Sequence, residues 1–133
     1  MTSSEPAMRC RVLIADDDAM NRLVAVESLK YLECQADAVS TGTEALDALE
    51  AHPFDLVLMD VHMPDLTGIE ATLELRRREA ASGRARMPVI ALTASATAKD
   101  QQACMDAGMD GVLTKPFRIE QLQSLIEQWC PPR

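Results

Sequence analysis

No apolar stretch in this 133-residue chain approaches the length of a membrane helix: runs such as Val12 to Ala15 and Val89 to Leu92 fall far short of about 20 residues. The opening MTSSEPAM lacks the basic start and apolar stretch of a secretory signal, so the cytoplasm is the expected compartment. Positive charge is also in deficit, with 13 Lys and Arg against 21 Asp and Glu and a formal net charge of −8. Such a surface repels a phosphate backbone or an anionic bilayer, which argues against direct nucleic-acid or membrane binding. The four cysteines, Cys10, Cys34, Cys104 and Cys130, contain no C-x-x-C pair, so zinc knuckles and dithiol redox motifs are not expected. They read as reduced, mostly buried packing residues.

What is present is one domain's worth of chain, 47% hydrophobic, with room for a sizeable core. Residues 1 to 8 read as a flexible leader, 9 to 129 as the domain and 130 to 133 as a C-terminal tail. Between the ends, short β-branched runs alternate with helical patterns, the signature of βαβ units around a mainly parallel sheet. Five strands are expected: Arg11 to Ala15, Gln35 to Val39, Asp55 to Met59, Val89 to Thr93 and Gly111 to Thr114. The first, third and fourth are almost wholly apolar, as strands covered on both faces should be. Gln35 to Val39 is more polar and belongs at an edge.

The helices carry their own punctuation. Thr41 and Glu44 match a capping box for the second helix, whose buried face is Ala45, Leu46 and Leu49. Thr97 with Asp100 starts the fourth helix and Gly108 ends it. Helices one and three are expected over about residues 20 to 32 and 67 to 80. In the last helix Ile119, Leu122, Leu125, Ile126 and Trp129 form one apolar stripe, read as packing against the sheet.

The polar residues that break the apolar strands fall at their carboxyl ends: Asp16, Asp17 and Asp18 after the first, Asp60 after the third, Thr93 closing the fourth and Lys115 after the fifth. Ligands of open α/β sheets bind outside those ends, so these side chains should converge. Carboxylates about 4 to 5 Å apart would repel by roughly 3 to 4 kcal/mol per pair at an effective dielectric near 20. A cation must compensate. Oxygen donors without nearby cysteine, and with His62 isolated from a second imidazole, suit Mg²⁺ or Mn²⁺ rather than zinc. Metal, ammonium and a Thr93 hydroxyl together are what a phosphoryl group needs.

The segments VLIADDD, LVLMDVHMPDLTGIE, VIALTASA and MDGVLTKPF resemble the receiver domains of two-component response regulators, and the wording MDVHMP and LTASA is most like the receivers of hybrid sensor histidine kinases. The resemblance runs over about residues 9 to 129. It implies a doubly wound, flavodoxin-like (βα)5 fold with strand order 2-1-3-4-5 and helices on both faces. It implies Asp60 as phosphoryl acceptor, Thr93 as switch residue and Lys115 as the phosphate-pairing cation. Asp16, Asp17, Asp60 and the main-chain carbonyl of His62 become the ligands of Mg²⁺, or of Mn²⁺ in its place. Asp18 is then a cap for the first helix, and the Lys115–Pro116 bond is cis. The implied partner is a histidine kinase or histidine phosphotransfer domain, and the domain itself is a monomer or weak dimer.

Two positions depart from the family pattern. Val112 stands where many members carry an aromatic residue that moves on activation, and Thr67 stands where Asp or Asn is common. The expected function is a phosphoacceptor that catalyses its own phosphorylation and dephosphorylation and is not an enzyme in the conventional sense. The alternatives are a haloacid-dehalogenase-like phosphatase, which needs a D-x-D-x-T/V pattern that the run Asp16 to Met20 breaks, and a receiver that serves only as a binding module. A flavodoxin-like electron carrier would need Ser, Thr and Gly where the first loop is acidic.

Overall fold

The computed structural model describes residues 10–95 and 97–130. Ten elements alternate along it: β1 (Arg11–Ala15), α1 (Ala19–Tyr31), β2 (Gln35–Val39), α2 (Gly42–Ala51), β3 (Leu56–Asp60), α3 (Gly68–Ser82), β4 (Val89–Thr93), α4 (Ala98–Asp106), β5 (Gly111–Thr114) and α5 (Ile119–Trp129). The strands form one parallel sheet in the order β2-β1-β3-β4-β5. The expected fold class and strand order are thus observed. The expected leader, residues 1 to 8, and tail residues 131–133 lie outside the described residues.

Alternation along each strand divides the core in two, because successive side chains point to opposite faces. Val12, Ile14, Leu56, Leu58, Ile90 and Leu92 pack with Ala25 and Leu29 of α1 and Leu122 and Ile126 of α5. Leu13, Ala15, Val57, Met59, Val89 and Ala91 pack on the other face with α2, α3 and α4. Each of the Val, Leu, Ile and Met side chains among them contributes about 1.5 to 3 kcal/mol relative to leaving it exposed. The half-exposed β2 takes the edge, and Arg11 pairs with its Asp37 at 3.1 Å. Trp129 packs, partly buried, on the α1–α5 side with the rest of its stripe.

Two local readings shift. Strand β3 begins one residue later than expected, because Asp55 is occupied as a bracket, its carboxylate accepting from the Arg11 amide at 2.9 Å. The strand therefore ends on Asp60, which pairs with Leu92. At α2, Thr41 caps as expected, but the Glu44 carboxylate accepts from the amide and hydroxyl of Ser40, one residue further back. The complete capping box is at α3, where Thr67 and Glu70 exchange hydrogen bonds at 3.0 and 3.1 Å. Thr67, a departure from the family pattern, is therefore a working N-cap. Gly108 ends α4 with φ of 101° as expected of a glycine stop.

The cysteine expectation needs correction. Cys10, which precedes β1, and Cys130, which closes α5, are joined by a disulfide with Cα atoms 5.7 Å apart. The cause is topological, since α5 shares one core with α1 and the interior strand β1, and this brings together residues 120 positions apart. Cys130 thus belongs to the folded unit, only 4% exposed. Cys34 and Cys104 are buried, as expected, and take no part in the disulfide.

At the amino ends of β4 and β5, Asp110 accepts from Arg76 at 2.9 Å, Arg86 at 3.0 Å and the Val89 amide at 3.0 Å. Glu79 accepts from Arg76 at 2.9 Å and from the Met87 amide at 2.8 Å. These bonds tie α3 to the sheet at the end opposite the acidic cleft.

Candidate functional site

Register delivers the site. Ala15 pairs with Met59, so the next residues, Asp16 and Asp60, leave adjacent strands side by side. Thr93 pairs with Thr114, which places Lys115 one residue beyond, its amide donating to the Thr93 carbonyl at 2.8 Å. Asp16 and Asp60 are buried at 1% and 4% exposure, while Asp17 is open to solvent. One carboxylate oxygen from each of the three lies within 4.8 Å of the others.

Lys115 closes the cleft from the other side. Its Nζ lies 3.1 Å from Asp16 Oδ2 and 3.3 Å from Asp60 Oδ2, and its peptide bond to Pro116 is cis, as expected. Burial pushes the Asp60 carboxyl up from its ordinary range; the His62 amide, donating to Oδ1 at 3.1 Å, pulls it back, the Asp16 charge adds to the rise, and Lys115 opposes it. Burial pulls Lys115 down, but the hydrogen bond to Asp16 and the Asp60 charge outweigh it, and its affinity for a proton is raised. Asp60 is therefore a buried carboxylate held against a fixed ammonium.

The structure brings Asp16, Asp17, Asp60 and Lys115 together at one end of the sheet. Thr93, 4% exposed, closes β4 at the same end, its Oγ1 accepting from the Ser95 amide at 3.0 Å. His62 is exposed, and the acidic group forms without its imidazole. Asp18 turns away to cap α1, accepting from the amides of Met20 at 2.8 Å and Asn21 at 3.2 Å. Val112 is partly buried against the α2–α3–α4 side of the sheet.

Three further residues serve the cleft. Arg22 donates to the Asp16 carbonyl at 2.8 Å and so holds the acidic turn by its backbone; a side chain reaching a carbonyl leaves no pattern in a sequence. Gly68 lets the first turn of α3 approach so closely that a Cβ there would overlap the Asp60 carbonyl oxygen. Its signal was readable, since glycine just inside a helix is unfavourable unless space demands it. Ser95 links the Thr93 hydroxyl to Asp100 in the first turn of α4.

The three carboxylate oxygens, with one exposed donor and no sulfur, fit a hard divalent cation. Comparison with known proteins agrees with this geometry. The family model for the response regulator receiver domain matches residues 12–127. The sensor histidine kinase GacS of Pseudomonas protegens is 39% identical over 119 residues, 90% of this chain and 13% of that protein. The virulence sensor BvgS of Bordetella pertussis is 36% identical over 129 residues, 96% of this chain and 10% of that protein. The chain thus spans only about a tenth of the length of these relatives.

Among solved structures, the receiver domain of a Pseudomonas aeruginosa sensor histidine kinase, with magnesium coordinated in its active-site cleft, is similar with a TM-score of 0.81 and 35% identity, covering 91% of this chain and 97% of that one. The receiver domain of Saccharomyces cerevisiae Ssk1, crystallised with the histidine phosphotransfer protein Ypd1, is similar with a TM-score of 0.86 and 28% identity, over 90% and 88% of the two chains. Sheet order, strand-end chemistry and sequence agree along nearly the whole length, and the chain belongs to the family of response regulator receiver domains.

Proposed function

We propose that this domain accepts a phosphoryl group from the phosphohistidine of a histidine kinase or histidine phosphotransfer domain onto Asp60, and so acts as a switch or relay in a two-component phosphorelay. The observation that carries it is the buried Asp60 carboxylate, 3.3 Å from the Lys115 ammonium and within 4.8 Å of Asp16 and Asp17 oxygens. Asp60 attacks phosphorus in line; an O–P bond forms as the N–P bond to the donor imidazole breaks. The Lys115 ammonium pairs with a phosphoryl oxygen, and the Thr93 hydroxyl donates to another. A divalent cation, Mg²⁺ or in its place Mn²⁺, held by Asp16, Asp17, Asp60 and the His62 carbonyl, would neutralise the remaining negative charge. Water later attacks the aspartyl phosphate, so the domain catalyses its own phosphorylation and dephosphorylation without a conventional turnover substrate.

A protein donor suits the rim of the cleft. Met20, Leu23 and Val24 are exposed on α1, and a cavity of about 130 Å³ between α1 and the segment after β5 is lined by Asn21, Val24, Lys115, Pro116 and Phe117. No helix among the described residues is long and apolar enough to cross a membrane. The receiver unit so proposed runs from about residue 9 through Cys130, in the cytoplasm, as a monomer or weak dimer without direct contact to nucleic acid or membrane. The test is labelling from phosphorylated kinases and phosphotransfer domains. Acid-stable, hydroxylamine-labile label should form on the wild type and vanish in Asp60→Asn; stoichiometric label on the variant would overturn the assignment.

A further inference from the structure

We propose that Cys10 and Cys130 form an oxidation-controlled staple, a modification site for small-molecule disulfides that sets how firmly α5 is held and leaves the phosphoacceptor cleft unchanged. The pair joins the entrance of β1 to the exit of α5 across 120 positions of sequence. Both cysteines are buried, at 1% and 4% exposure, within the α1–α5 side of the core. Beside the two cysteines that side of the core holds Val12, Ile14, Leu29, Leu58, Leu122 and Ile126, and the cluster on the other face of the sheet contains neither cysteine. Chains with so complete a core fold without disulfides, so the bridge can open and close on a folded domain.

The two cysteines differ in access. Cys10 sits at the entrance of the interior strand β1, its carbonyl accepting from the Gln35 amide at 2.9 Å. Cys130 hangs on the last hydrogen bond of α5, its amide donating to the Ile126 carbonyl at 2.8 Å, and a helix end opens far more readily than a central strand. Fraying of that turn lets the Cys130 thiolate attack a disulfide RSSR, forming a mixed disulfide and releasing RS⁻. When the helix closes again, the Cys10 thiolate attacks the Cys130 sulfur and releases the second RS⁻. Two protein thiols are oxidised, RSSR is reduced to two RSH, and the two protein protons go to the leaving thiolates. Cys34 shares the cluster, but its thiol is directed at the Leu32 carbonyl, 3.8 Å away.

Closure tethers the last turn of α5 to β1; opening leaves it anchored by the packing of Leu122 and Ile126, with Ile119, Leu125 and Trp129 partly buried. The acidic cleft begins six residues beyond Cys10, about 20 Å along the strand, which separates the two functions.

The test is titration of the domain in glutathione redox buffers, read by non-reducing peptide mapping, melting temperature and amide exchange. A Cys10–Cys130 peptide should appear with loss of two hydrogens, Tm should rise by about 10 °C on oxidation, and amides near Cys130 should exchange at least severalfold more slowly. The rate of phosphorylation by acetyl phosphate should match in the two states. Cys10→Ala and Cys130→Ala should each abolish the redox-dependent shift, and Cys34→Ala with Cys104→Ala should retain it. Absence of the crosslink at every glutathione ratio, a bridge to Cys34, or identical Tm and exchange in the two wild-type states would overturn the proposal. The wild-type comparison needs no variant to fold.

Discussion

Gly68 packs its α carbon against the backbone carbonyl of Asp60, leaving no room for a single added methyl group. The Gly68 amide donates to the Val61 carbonyl at 3.0 Å, so α3 starts as a brace under the acceptor residue. Gly68→Ala should cost about 1 to 3 kcal/mol in stability through overpacking. It should also slow phosphorylation by acetyl phosphate about tenfold to a hundredfold, because the carboxylate moves with its backbone. Rates measured well below the variant's melting temperature check this; a folded variant with the wild-type rate would refute the brace.

Asp17 and Asp18 are neighbours with opposite duties. Asp17→Ala should weaken Mg²⁺ binding by about tenfold or more, as loss of a ligand does, and should stabilise the domain in chelator by relieving repulsion from Asp16 and Asp60. Asp18→Ala should leave Mg²⁺ affinity near the wild-type value and lower stability by about 1 kcal/mol, the worth of a helix cap. Calorimetric metal titration and thermal melts with and without Mg²⁺ separate the two. Equal losses of affinity would mean that the acidic run is assigned one residue out of place.

Asp110 gathers two arginines and a strand amide in a largely dry corner, with a side chain 13% exposed. Asp110→Ala strands the Val89 amide and leaves Arg76, 15% exposed, with only part of its compensation. The expected loss is about 3 kcal/mol, the low end for breaking a buried ion pair. Denaturant unfolding measures it, and phosphorylation of the folded variant should persist, since the network lies at the far end of the sheet.

Val112 is short and β-branched, with few rotamers and no ring to turn inward. A phosphate mimic such as beryllofluoride should draw the Thr93 hydroxyl onto its oxygens, a bond to a charged acceptor worth about 1.5 to 3 kcal/mol. NMR shifts should be large around Asp60, Thr93 and Lys115, should reach the first turn of α4 through Ser95 and Asp100, and should fade along the rest of α4 and α5. Large shifts across the whole α4–β5–α5 face, or a tight dimer through it, would show a conventional output switch in place of a relay.

Four strands run over the residues their composition indicates, because a polar side chain punctuates each apolar run. The third slips by one, since Asp55 and Asp60 both flank the apolar core of the run and only the Arg11 contact decides between them. Asp16, Asp17, Asp60 and Lys115 were legible because chemistry at strand ends follows from the fold alone. The Cys10–Cys130 bridge and the Asp110 corner were not, for each joins elements far apart in sequence through contacts that leave no periodicity; the Arg22 hold on Asp16 is local, but a side chain reaching a backbone carbonyl leaves no pattern either.

The in-register ladders have a last consequence. Asp16, Asp60 and Lys115 each follow or finish a different strand, and neighbouring strands are about 4.8 Å apart. A slip of one residue in any of these strands would turn its functional group to the opposite face of the sheet. Misaligned chains would then lack an assembled cleft, so competence for phosphate chemistry doubles as a proofreading signal for correct strand alignment.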